Sequence, residues 1–130
     1  MNKLYHITTP DNLVSIMENG LVANGNGEVN SGLSEDGYIY LFENKSYRHP
    51  ITGQVISVAD SIALNQLFIT DYVMLEIDTD GIKGELEQDN VGELSAFAQW
   101  KVKQDKIGKE HIDIYGVYKV DVYRIYGVNA

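Results

Sequence analysis

The sequence predicts an α+β domain, on three observations. Segments of period two at residues 4–8, 38–42 and 114–126 read as strands, and segments of helical spacing at residues 10–20 and 57–68 are interleaved with them. A largely apolar run at residues 72–78 reads as a strand at the centre of a sheet. The chain has 130 residues and no internal repeat or linker, which fits a single domain over residues 1–130. A chain of that size buries roughly two-thirds of its unfolded surface and builds its core without staples.

In chain order, residues 4–8 (Leu-Tyr-His-Ile-Thr) alternate so that Leu4, His6 and Thr8 share one face. Pro10 ends this strand and opens a helix, because a proline at the first helical position lacks only an N–H that would be unpaired there anyway. Thr9 is placed as its N-cap, and Asp11 adds negative charge to the first turn. Leu13, Ile16 and Met17 recur at helical spacing, and Gly20 supplies the backbone conformation that stops the helix. Residues 22–37 hold Gly25, Gly27, Gly32 and Gly37 with almost no apolar periodicity, which predicts a loop. Loops longer than about a dozen residues tend to be functional or mobile. The run Asn24-Gly25-Asn26-Gly27 matches neither a Rossmann fingerprint nor a P-loop.

Residues 38–42 place Tyr38, Tyr40 and Phe42 on one face of a strand and Ile39 and Leu41 on the other. An aromatic face serves either a core or a cleft wall, since tyrosine keeps a polar end. Residues 57–68 form the second helix, with Ser57 as cap and Val58, Ile62, Ala59, Ala63 and Leu67 in its buried stripe. After the strand at 72–78, Asp78-Thr79-Asp80-Gly81 has the look of a calcium-loop start, but its glycine falls at the fourth position instead of the sixth. Residues 83–93 read as a polar, acidic connection, and residues 94–102 carry Phe97 and Trp100. The ending, from Ile114 to Tyr126, reads as one long strand or two short ones.

Ten basic against nineteen acidic residues give a net charge of −9, and residues 71–93 hold eight carboxylates and one lysine. That sign disfavours non-specific binding to duplex nucleic acid. Lys101, Lys103, Lys106 and Lys109 place four of the ten bases within nine residues, which is either a local phosphate-facing patch or a solvated charged loop. With no cysteine there are no disulfides or thiolate ligands. His6, His49 and His111 lie in separate regions without a helical pairing to a carboxylate, so no metal is expected. A patterned strand begins at once after Met1-Asn2-Lys3, and neither a signal peptide nor a membrane-spanning run is read. The expectation is a cytoplasmic protein with no membrane partner.

Tyr-His-x-Thr at residues 5–8, Pro-Asp-Asn-Leu at 10–13, Ile-x-x-x-Gly-Leu at 16–21 and Gly-Tyr-Ile-Tyr-Leu-Phe at 37–42 follow one another in an order that resembles the ADP-ribosyltransferase superfamily. Its members include RNA 2′-phosphotransferases and small DNA-modifying ADP-ribosyltransferase toxins. The resemblance implies two small packed sheets, antiparallel or mixed, with two main helices, and NAD as a substrate. It also implies site residues: His6 to hold a ribose hydroxyl with Thr8 beside it, and Tyr40 to stack on nicotinamide, with Tyr47 in the following loop as the alternative stacking residue. The family's third position is a Glu or Gln on a later strand. Residues 107–112 resemble the family's turn into the last strands, with Gly108 in place of its proline, and counting back from there puts Gln99 at the third position. Glutamine accepts a hydrogen bond but brings no negative charge. Glu93 and Glu110 are the alternative acids.

The function so implied is NAD-dependent mono-ADP-ribosyl transfer, or NAD binding by a domain of that fold, toward a protein or nucleic-acid target the sequence does not name. The competing class is a non-catalytic acidic interaction module, such as an inhibitor or a phage-type accessory protein, whose carboxylates meet a basic protein surface.

Overall fold

The computed structural model describes residues 2–23, 37–65, 67, 69–88 and 99–121, with Asn65 and Gln99 described through their backbone. In chain order these residues form β1 (Lys3–Thr8), α1 (Pro10–Asn19), β2 (Leu21–Val22), β3 (Tyr38–Phe42), β4 (Ser46–Arg48), β5 (Val55–Ser57), α2 (Val58–Asn65) and β6 (Asp71–Asp78). They continue with β7 (Leu86–Gln88), β8 (Gln99–Lys103), β9 (Lys106–Ile107) and β10 (Ile112–Lys119), with single 3-10 turns at Thr79–Gly81 and Lys109–His111. This is the α+β class that the alternating periods predict.

Six strands make one antiparallel sheet in the order β10-β6-β1-β3-β8-β7. It consists of two halves. β1 and β6 are registered over six pairs and β3 and β8 over five, whereas β1 and β3 meet at a single pair, Tyr5 with Phe42. The small ribbons β2-β9 and β4-β5 lie outside this sheet.

Alternation along the strands divides the core into two layers. Leu4, Ile39, Leu41, Val73, Leu75, Ile77 and Val102 are buried on the face covered by α1, which contributes Ile16 with Leu13 and Met17 packed alongside. Tyr5, Ile7, Phe42, Tyr72 and Met74 are buried on the other face under Val58, Ala59 and Ala63 of α2. Each buried Val, Leu, Ile, Phe or Met side chain among these contributes about 1.5–3 kcal/mol by leaving water.

Helix ends follow the local sequence. Pro10 is at the start of α1, and Thr9 is extended there with its carbonyl accepting from the Asn12 N–H at 3.1 Å, while its side chain makes no capping bond. At the other end the Gly20 N–H donates to the Ile16 carbonyl at 2.7 Å. Gly20 has φ +89°, and a Cβ there would collide with the Ile107 carbonyl. The chain thus leaves α1 pressed against β9, where Leu21 pairs with Ile107. Ser57 caps α2 as expected, its hydroxyl accepting from the Asp60 N–H at 3.2 Å. Asp60 itself is buried and accepts from the Tyr72 hydroxyl and, at 3.3 Å, from the Asp121 N–H.

Two readings of the sequence need correcting. Tyr47 is not in a loop but in β4, whose pairing with β5 forms a hairpin. The acidic connection at 83–93 includes a strand, β7, because Leu86 pairs with the buried Val102 and the edge of β8 orders the segment around it. The glycine run at Gly25 and Gly27, together with Gly32, Phe68, Glu93, Phe97 and the strand expected beyond residue 121, lies outside the described residues.

Candidate functional site

The two halves of the sheet part immediately after the Tyr5–Phe42 pair, and the next residue of β1 is His6. Its register partner on β6 is Leu75, so its ring belongs to the α1 side of the sheet, with Leu4 and Thr8. On the β3 side the ring Nδ1 lies 2.8 Å from the carbonyl of Tyr40. A carbonyl only accepts, so Nδ1 carries the proton and donates. Burial lowers the His6 pKa from its ordinary value, and the bond to the Tyr40 carbonyl opposes this only in part. At neutral pH the imidazole is therefore neutral, protonated at Nδ1, and offers the Nε2 lone pair as an acceptor.

Among the described residues neither His6 Nε2 nor the hydroxyl of Thr8 has a hydrogen-bond partner. Thr8 is 6% exposed. A buried hydroxyl without a partner costs free energy and calls for an explanation. It sits two residues from His6 on the same strand face, beside the parting of the strands.

The structure thus brings His6, Thr8 and the main chain of Tyr40 to one place. The ring of Tyr40 is half-buried and lies 6.5 Å from that of Tyr38, on the face away from Ile39 and Leu41. It is therefore on the opposite side of the sheet from His6 and Thr8, so strand alternation does not place it as a stacking residue beside them. Tyr47 packs against the α2-side core. Position 99 pairs with Phe42, one strand beyond β3, and the side chain of Gln99 lies outside the described residues. The four clustered lysines spread over β8, β9 and the 3-10 turn, and the Lys101 ammonium lies 5.0 Å over the ring of Tyr38. Glu110 is exposed and reaches His111 Nε2 at 3.5 Å.

Polar groups that the sequence did not single out also surround the junction. Glu43, directly after β3, accepts from the indole N–H of Trp100 at 3.2 Å. The Lys45 ammonium donates to the Tyr115 hydroxyl at 2.9 Å and lies 5.1 Å over Tyr5 and 4.5 Å over Tyr115, and the bond to Tyr115 raises its pKa. Tyr115 reaches this place from a bulge in β10, where the register with β6 shifts between Ile114 and Gly116. No periodicity marks Glu43 or Lys45, and the one sequence signal that could have found them is their position just after the aromatic strand.

Among the described residues no group of three or more His, Asp or Glu is placed to hold a metal ion. No helix among them is long and apolar enough to cross a membrane. Comparison of the chain with models of known protein families, with curated proteins and with solved structures finds no match.

Proposed function

We propose that the chain binds NAD at the parting of β1 and β3 and transfers its ADP-ribosyl group to a macromolecular acceptor. The observation that carries this is His6, fixed by the Tyr40 carbonyl as a neutral Nδ1–H imidazole with Nε2 open, where two strands of one sheet separate. A ribose hydroxyl is a donor that Nε2 can accept from, and the Thr8 hydroxyl next to it can both donate and accept. The order of motifs around these residues supports NAD in particular, since it resembles that of ADP-ribosyltransferases.

In this reading the chain positions the nicotinamide ribose through His6 and Thr8, and Tyr40 contributes the main-chain carbonyl that orients His6. Loss of nicotinamide passes through an oxocarbenium-like state, which acceptor or negative groups at the ribose stabilise more than they stabilise the ground state. Gln99 at the third position provides acceptor character alone. The test is nicotinamide release from NAD by the wild-type chain and by Gln99→Glu. Release by the wild type supports transfer chemistry, and faster release by the variant supports the placement of Gln99. Absence of both binding and release would leave the acidic interaction module as the reading to pursue.

A further inference from the structure

We infer that Glu43 is the carboxylate that faces the ribosyl cation, the charge that Gln99 cannot supply. This rests on the NAD reading above. Tyr5 and Phe42 are paired antiparallel, so Glu43, one residue after Phe42, and His6, one residue after Tyr5, flank that pair on its two sides. The face is settled by Trp100. Its register partner is Leu41, it packs against the α1-side core, and its indole N–H holds Glu43 Oε1 at 3.2 Å. Glu43 is thus drawn to the side of the sheet on which His6 and Thr8 lie.

The carboxylate is half-buried, which strengthens its effect on a nearby charge relative to one in open water. Oε1 is occupied by the indole, and among the described residues Oε2 has no partner. The geometry therefore supplies an anchored carboxylate with one free oxygen and an anchored imidazole with one free nitrogen, on the same side of the sheet and on either side of the Tyr5–Phe42 pair. In the reaction, the bond between the ribosyl carbon and the pyridinium nitrogen breaks, and its electron pair goes to that nitrogen to give neutral nicotinamide. The ribosyl carbon then bonds to the oxygen of water or of the acceptor hydroxyl, whose proton leaves to solvent. Glu43 stabilises the positive charge that develops on the ribose between these two events.

The experiment compares wild type with Glu43→Gln in nicotinamide release at saturating NAD, with NAD affinity measured by calorimetric titration. Glutamine keeps the shape and the oxygen that accepts from Trp100, and removes only the charge. The expected result is release slowed on the order of a hundredfold or more, with affinity within a few-fold of wild type. Equal release by an active wild type and the variant overturns the role of Glu43 and leaves the NAD reading standing. A wild type that neither binds NAD nor releases nicotinamide overturns that reading, and this inference with it. Should Glu43→Gln not fold, Glu43→Asp tests the same point. It retracts the charge by one methylene and is expected to lower kcat with KM unchanged, and an unaltered kcat would overturn the role.

Discussion

His6 has two nitrogens with separable duties, and two substitutions divide them. Asparagine places its amide nitrogen near the position of Nδ1, and glutamine places its polar end near Nε2. His6→Asn should therefore keep the bond to the Tyr40 carbonyl, 2.8 Å in the wild type, while removing the acceptor that faces the ribose. His6→Gln should do the reverse. A partly buried carbonyl that loses its donor costs about 1–3 kcal/mol, so His6→Gln should destabilise by that amount and His6→Asn by less than about 1 kcal/mol. For NAD the order inverts. One lost hydrogen bond is worth about 0.5–1.5 kcal/mol, a several-fold loss of affinity in His6→Asn. Urea unfolding at unchanged m-value and calorimetric titration with NAD read the two effects separately. If His6→Asn binds NAD as tightly as wild type, Nε2 does not touch the ligand. If His6→Gln is as stable as wild type, the Tyr40 bond does not hold the junction.

Further consequences follow from other contacts. Burial depresses the His6 pKa below 6.5 in the folded chain, so between the depressed value and 6.5 the unfolded chain binds more protons. The stability at stake is fully present above 6.5 and is lost as the pH falls through that window. Wild type should therefore lose stability relative to His6→Asn between pH 7.5 and 5.5 in urea titrations, and a pH-independent difference would contradict the assignment. Gln104 uses its whole amide: Oε1 accepts from the N–H groups of Lys83 at 2.7 Å and Gly84 at 3.2 Å, and Nε2 donates to the carbonyls of Gly81 at 2.9 Å and Lys106 at 2.8 Å. Lys83 and Lys106 are exposed and regain water on Gln104→Ala, so the loss is set by the bonds to Gly81 and Gly84, about 1–3 kcal/mol, visible as a drop of several degrees in Tm. Gly20→Ala should cost more than about 1 kcal/mol in chemical unfolding, given the positive φ and the Ile107 carbonyl against it, and a neutral result would show that the exit of α1 is loose.

The regular elements were legible in the residues because periodicity is a local signal. β1, α1, β3 and β6 stand where alternation, Pro10 and helical spacing placed them, and α2 starts as expected after Ser57 but ends at Asn65, short of the expected residue 68. The ribbons were not legible. β2 and β9 are two residues each, and their partners are more than eighty residues apart in sequence, so nothing local announces them. β7 is a short acidic edge that exists through its pairing with β8, and Tyr47 looked like a loop residue because β4 spans only three residues. The site was legible in part. His6 and Thr8 were visible as polar residues on an otherwise apolar strand face, whereas Glu43, Gln104 and Asp60 are placed by tertiary hydrogen bonds that leave no pattern in the chain.

Calorimetric titration of the wild-type chain with NAD at neutral pH tests the central claim most directly. The account predicts saturable binding at one site per chain that weakens as the pH falls and His6 takes up a proton. A flat titration from a folded chain would contradict it, and the open nitrogen of His6 would then need another ligand.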